Sequence, residues 1–214
     1  MELKKNDLIL FIGDSITDVG RNREEGNDLG HGYPLMVAGA LAATYPELQL
    51  QFLNRGISGN KITDLENRWA EDCISLQPDI VSILIGINDT WHHVGTTTFA
   101  SQDALQEFEE MYRLLLNQVK NKTNAQIVIL EPFVLSDPID RLEWRTDLDP
   151  RIQIIRRLAT EFAVDFIPLD GLLNSIGMKT SFQYLTGDDG VHPTVAGHGM
   201  IAKAWLEAVK VKEK

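Results

Sequence analysis

The sequence predicts an α/β protein: a three-layer sandwich on a flavodoxin-like, doubly wound parallel sheet of five strands. Three observations predict it. Short β-favouring runs alternate with helical periodicity along the chain, the pattern of βα units and parallel pairing. The run Ile80-Val81-Ser82-Ile83-Leu84-Ile85 is almost continuously apolar and β-branched, the mark of a strand buried on both faces. Crossovers between parallel strands are right-handed, which favours the doubly wound arrangement with helices on both faces.

The elements follow in order. Leu8–Ile12 is a buried strand that empties into the turn Gly13-Asp14-Ser15-Ile16-Thr17-Asp18. The polar stretch Asp18–Gly32 reads as a loop, and its length hints at a role near a site. Leu35, Val37, Ala38, Leu41 and Ala42 recur at helical spacing, predicting a helix over Tyr33–Tyr45 that Pro46 stops. Alternation over Leu48–Leu53 predicts a second strand, which runs into Asn54-Arg55-Gly56-Ile57-Ser58-Gly59-Asn60. Thr63–Leu76 is helical in pattern, with Leu65, Trp69, Cys73 and Leu76 on one face and Pro78 beyond it. The third strand, Ile80–Ile85, ends at Gly86-Ile87-Asn88-Asp89, and a loop through Trp91, His92 and His93 leads to a helix over Ala104–Val119. Gln126–Leu130 is the fourth strand, closed by Glu131-Pro132, and Pro138–Pro150 reads as an ordered excursion. Arg151–Phe162 is predicted helical, Val164–Ile167 a short fifth strand and Gly171–Gly177 a short helix. The turn Gly187–Pro193 precedes a last helix from Thr194 to about Val209.

A chain of 214 residues is expected to form one domain over residues 1–214. At this size about 70% of the extended surface is buried, so no disulfide staples are needed. A net charge of −11 repels phosphate backbones, and no basic stripe interrupts it, so nucleic acid is excluded as a partner. The single Cys73 has no partner for a disulfide or a thiolate metal site and reads as a small buried hydrophobe. Lys4 and Lys5 precede only a short apolar run, below the roughly 7–15 residues of a secretory core, and no run approaches the roughly 18 apolar residues of a membrane span. The expectation is a cytoplasmic protein without membrane contact. Trp69, Trp91 and Trp144 leave a homo-oligomer open without requiring one.

In a parallel sheet all strands end on the same rim. Ser15, the turn around Gly56 and Asn88 therefore converge in space despite their distance in sequence. A serine hydroxyl is a weak nucleophile until a base takes its proton, and the base needs a partner that fixes its tautomer. His192 and Asp189 supply that pair within one turn. Acyl transfer also needs donors aimed at an oxyanion, for which the amides of Ser15 and Gly56 and the Asn88 side chain are candidates. Each element has an ordinary alternative: Asp14 and Ser15 capping a helix, Asn88-Asp89 making a turn, His192 capping the last helix. Their joint occurrence at strand ends favours the chemical reading.

These four segments resemble the sequence blocks of the SGNH hydrolases, the GDSL family of lipases and esterases. Gly13-Asp14-Ser15-Ile16 matches the first block with isoleucine in place of the usual leucine, Gly56 the second, Gly86-Ile87-Asn88-Asp89 the third and Asp189-Gly190-Val191-His192-Pro193 the last. The resemblance implies Ser15 as nucleophile, His192 as general base and Asp189 as its orienting carboxylate, with Ser15, Gly56 and Asn88 forming an oxyanion hole. Ile57-Ser58-Gly59-Asn60, Arg68-Trp69, Pro78-Asp79 and Ile85–Trp91 are closest in pattern to bacterial carbohydrate esterases, including acetyl-xylan esterases. Short acyl esters of sugars or oligosaccharides are then the expected substrates. A lysophospholipase or thioesterase-like activity and a non-catalytic carbohydrate-binding relative are the alternatives.

No cofactor is expected. The first strand is followed by no Gly-x-Gly-x-x-Gly or Walker-type loop, and Thr17 replaces the second glycine of a Gly-x-Ser-x-Gly elbow. His92 and His93 suggest a metal, but adjacent loop histidines more often face solvent or line a pocket. His31 and His198 read as structural. Asp14, Asn60 and Trp91 are candidate substrate contacts, Trp91 equally as loop packing.

Overall fold

The computed structural model describes residues 1–211. Its central sheet holds β2 (Leu8–Gly13), β3 (Gln51–Gly56), β4 (Ile80–Leu84), β5 (Gln126–Leu130) and β6 (Asp165–Ile167), all parallel, in the order β3-β2-β4-β5-β6. The chain thus starts inside the sheet, moves to one edge and returns past its starting strand to the other. That reversal beside β2 is the flavodoxin-like switch point, where such sheets open a crevice at their carboxyl ends. A separate two-stranded parallel pair, β1 (Glu2–Leu3) with β7 (Lys210–Val211), joins the ends of the described chain.

Period-two alternation sends successive strand residues to opposite faces. Ile9, Phe11, Ile80, Leu84, Val128 and Leu130 enter one core with α2 (Tyr33–Thr44), α7 (Leu169–Lys179) and α9 (Val195–Glu207). Leu10, Ile12, Val81, Ile83, Ile127 and Ile129 enter the other, with α3 (Ile62–Asp72) and α5 (Gln102–Lys122). The Ile80–Ile85 run is buried throughout, as its composition requires. Ser82 is its one polar member and accepts a hydrogen bond from Trp205 Nε1 at 3.0 Å.

Several elements differ from expectation, among them the short helix α8 (Phe182–Thr186), where no element was expected, and two whose bounds move. Helix α6 runs over Arg141–Glu161 and carries Pro150 inside it, where the sequence pattern suggested a start at Arg151. An internal proline costs about 3 kcal/mol. Burial of Trp144 and Leu148 before it, and of Ile152 and Ile155 after it, outweighs that cost at roughly 1.5–3 kcal/mol per side chain. The same helix crosses from one core to the other, since Trp144, Leu148 and Ile152 belong to the first and Ile154, Ile155 and Leu158 to the second. Strand β3 begins at Gln51, later than the alternation suggested, because Pro46–Leu48 form a 3₁₀ turn and pairing with β2 runs from Leu8↔Gln51 to Gly13↔Gly56.

A buried ion pair ties α6 to the rim. Arg151 Nε donates to Asp147 Oδ2 at 2.7 Å, and the same carboxylate accepts the Thr90 hydroxyl at 2.6 Å and the Ala100 amide at 2.8 Å. Thr90 lies on α4 (Ile87–Trp91), which also carries Asn88. Arg151→Leu strands the Asp147 charge, so urea unfolding is expected to show a loss of about 3–5 kcal/mol. Stability within 1 kcal/mol of the parent would mean that the pair is not what holds α4 to α6.

Candidate active site

Ser15 is placed by a close approach of backbones. A Cβ on Gly13 would lie 2.1 Å from the Leu84 carbonyl oxygen and 2.8 Å from Thr17 Oγ1, so only glycine fits between β2 and β4 here. The chain then turns at once into α1 (Ser15–Asp18), whose N-cap is Asp14, with Oδ1 accepting the Ile16 amide at 2.9 Å. Ser15 is the first helical residue, and its amide has no acceptor among the described residues. Asp14 itself is completely buried, and burial pushes its carboxyl up to about 7 against the pull of the Ile16 amide and of His192. Closed off from solvent and capping α1, it does not present a surface for substrate, which corrects its reading as a substrate contact.

His192 and Asp189 come from the turn before α9. Gly190 sits there at φ +75°, and a Cβ would come within 2.8 Å of the Leu135 and Asp137 carbonyl oxygens. Asp189 Oδ2 lies 2.6 Å from His192 Nδ1, while its Oδ1 accepts the Val191 and His192 amides at 2.8 Å each. Burial works against the anion, but the imidazole and the two amides together hold Asp189 below the ordinary carboxylate range. An ionised carboxylate only accepts, so Nδ1 carries the ring proton and Nε2 is left basic. Ser15 Oγ is 2.9 Å from that Nε2. The Asp189 hydrogen bond raises His192 above its usual value, burial pulling the other way. Asp188, next door, is exposed.

The rim supplies further donors. Asn88 is buried on α4, and its Nδ2 donates one hydrogen to the Asn60 carbonyl at 3.1 Å, leaving the second free. Gly56 packs so closely on α1 that a Cβ would meet the Asp18 amide nitrogen at 2.3 Å. Its own amide is spent, donating to Asn54 Oδ1 at 2.8 Å, which corrects the expectation that it faces an oxyanion. The reason is Asn54: fully buried, it gives both amide hydrogens to the Thr17 and Leu29 carbonyls, and its oxygen takes the nearest backbone N–H. Gly59, at φ +83° on the same loop, has an amide without acceptor among the described residues. Asp18 ties that loop to α1 by accepting the Ser58 amide and hydroxyl at 2.9 and 3.0 Å.

The Asn60 side chain accepts from Arg68 Nε at 2.9 Å, so it is engaged in holding the loop. Arg68 also donates to the Arg55 and Gly13 carbonyls at 2.7 and 3.1 Å, clasping the ends of β2 and β3, and Arg21 Nε donates to the Gly56 carbonyl at 3.0 Å. Neither role was legible: a charge on a helix or in a polar loop ordinarily reads as solvated. The Trp91 ring lies 5.8 Å from the His192 ring and 5.1 Å from Trp144, so it stands beside the serine–histidine pair and packs there too.

The remaining histidines lie elsewhere. His198 is buried, accepts the Tyr33 amide at 3.3 Å and is pushed down to about 4 by burial. His93 Nδ1 is buried without a partner among the described residues, beside a cavity of about 150 Å³ that Asp89 and Arg151 also line. Among the described residues no group of three His, Cys, Asp or Glu could hold a metal ion. The cavity of about 420 Å³ between α5 and α6 touches none of Ser15, Asp189 or His192. No helix among the described residues is long and apolar enough to cross a membrane.

A family model described as GDSL-like Lipase/Acylhydrolase matches residues 11–200, from β2 into α9. The chain belongs to that family. It is 37% identical to an acetylxylan esterase of Geobacillus stearothermophilus, with 98% of this chain and 96% of the relative covered. An acetylxylan esterase of Xylanibacter ruminicola is 25% identical over 94% of this chain and 43% of its own length. The crystal structure of the Geobacillus enzyme, Axe2, superimposes with a TM-score of 0.86 at 37% identity, covering 97% of this chain and 96% of that one. Solved variants of Axe2 include catalytic mutants at a serine, an aspartate and a histidine. This GDSL-family chain is thus a carboxylic ester hydrolase with the five-stranded α/β fold of its relatives.

The raised His192 has a readable consequence. As the ring is basic only when neutral, the acid limb of kcat/KM is expected above the ordinary histidine value of about 6.5. Asp189→Asn removes the group that raises it, so both the limb and the His192 NMR titration should move to lower pH. A limb that stays put in Asp189→Asn would assign it to another group.

Proposed function

We propose that the protein is a serine esterase that removes short acyl groups, acetyl above all, from carbohydrate esters. The observation that carries the proposal is the continuous relay Ser15 Oγ–His192 Nε2 at 2.9 Å and His192 Nδ1–Asp189 Oδ2 at 2.6 Å, standing at the carboxyl edge of the sheet. Similarity to acetylxylan esterases over nearly the whole chain supports the substrate class.

The chemistry follows from the atoms. Ser15 Oγ bonds to the ester carbonyl carbon as its proton passes to His192 Nε2. The carbonyl oxygen becomes an anion, for which the free donors are the Ser15 amide, the second Asn88 Nδ2 hydrogen and the Gly59 amide, Gly56 being engaged. Asp189 balances the imidazolium and keeps Nδ1–H directed at itself. His192 then returns the proton to the departing sugar oxygen as the carbon–oxygen bond breaks. Water repeats the cycle on the acyl-serine. Trp91, beside His192, offers a face on which a sugar ring can rest.

Ser15→Ala is expected to remain folded with only background hydrolysis, and a sulfonyl fluoride should add one label to the Ser15 peptide. Label at Ser58 would overturn the assignment. Asn88→Ala should lower kcat by roughly 10²–10³ with little change in KM, as for one lost oxyanion donor. Against esters of graded length and acetylated xylo-oligosaccharides, kcat/KM should peak at acetyl. A rise with each methylene, worth about 0.8 kcal/mol, would reveal an apolar groove and a lipolytic enzyme instead, and inertness toward all of them a binding protein.

A further inference from the structure

We infer that Arg141 is a positioning residue for the histidine–aspartate pair, acting through the backbone of Asp189 and the face of Trp91. The inference rests on the reading of Ser15, His192 and Asp189 as a catalytic relay. Arg141 is the first residue of α6 and its side chain is largely buried, 13% exposed. Nε donates to the Asp189 carbonyl at 2.8 Å, and Nη1 donates to Asp140 Oδ2 at 2.9 Å. The guanidinium carbon stands 4.2 Å from the Trp144 ring centroid and 5.8 Å from that of Trp91. Trp91 in turn lies 5.8 Å from the His192 ring. One planar cation therefore touches the turn that carries Asp189 and the aromatic wall beside His192.

The surroundings leave few other anchors for that turn. The Leu135 amide donates to the Gly190 carbonyl at 2.8 Å, so the segment before α6 holds the residue after Asp189 as Arg141 holds Asp189 itself. A Cβ on Gly190 would come within 3.2 Å of Arg141 Cγ, so the side chain crosses directly over the glycine. The next arginine along the helix, Arg145, is committed elsewhere, to Asp170 and Asp149. The arrangement suits arginine in particular: its flat guanidinium stacks on indole while its edge donates, which a lysine ammonium cannot do together. A displacement of the turn moves the Asp189 carboxylate relative to Nδ1, and misplacement by about 1 Å can cost up to 10²-fold in rate.

The test compares Arg141→Ala and Arg141→Lys with Ser15→Ala and the parent on p-nitrophenyl acetate. Expected for Arg141→Ala is a kcat about 10- to 100-fold lower with KM within about twofold, and recovery of part of the loss on adding guanidinium chloride at millimolar concentration. The far-downfield proton NMR resonance of the Asp189–His192 hydrogen bond should shift or broaden in Arg141→Ala. Arg141→Lys keeps the charge, so a similar loss there assigns the effect to geometry. If the alanine variant fails to fold, the lysine variant carries the same three readouts. A resonance unchanged from the parent overturns the inference, whatever happens to kcat, as does parental kcat in both variants. Ser15→Ala keeping its activity would instead overturn the underlying relay, independently of Arg141.

Discussion

The closest constraint in the molecule is the approach of β2 to β4 at Gly13. The missing Cβ lets the end of β2 lie against the Leu84 carbonyl, and so the chain can turn into α1 without first leaving the sheet. Asp14 then caps the helix from below, and Ser15 becomes its first residue with an unspent amide. Any longer exit from the strand would carry the hydroxyl away from His192, whose own turn is anchored separately. The 2.9 Å contact between them is thus the meeting of two independently built turns.

Around that meeting point the protein spends charged side chains on backbone. Arg21, Arg68 and Arg141 donate to the carbonyls of Gly56, Gly13 and Asp189, and Asp18 and Asp14 accept amides of the turns they serve. Loop backbone at a strand edge cannot pair with a neighbouring strand, and a buried unpaired carbonyl or amide is costly. Satisfying those groups with arginine forks and carboxylates makes the loops rigid without lengthening the sheet. Among the described residues it leaves the Ser15 and Gly59 amides without an acceptor, beside the second hydrogen of Asn88.

Burial and charge separate the titratable groups near the site. Asp189 is kept ionised by three hydrogen bonds, whereas Asp14, the residue next to Ser15 in sequence, is desolvated toward a neutral form. His192 is raised by its carboxylate, whereas His198, lacking one and buried, is driven down to about 4. The same residue types are therefore driven in opposite directions.

Much was determined by the sequence alone. Strand–helix alternation and the buried β4 run imply a parallel sheet, because only βα crossovers bury such strands on both faces. The positions of Ser15, the Gly56 turn and Asn88 at strand ends imply convergence at one rim for the same reason, while Asp189 and His192 come from a turn before the last helix. Only tertiary structure decided the rest. Pro150 stays inside α6 because apolar side chains on both sides of it are buried in two cores, which local proline rules cannot see. Gly56 loses its amide to Asn54 because that asparagine is buried by loops distant in sequence, and Gly59 is left with the open one. The backbone partners of Arg68 and Arg141 emerge only when the fold brings carbonyls without strand partners beside them, since hydrogen-bond demand at a loop is set by what packs over it and not by its own residues.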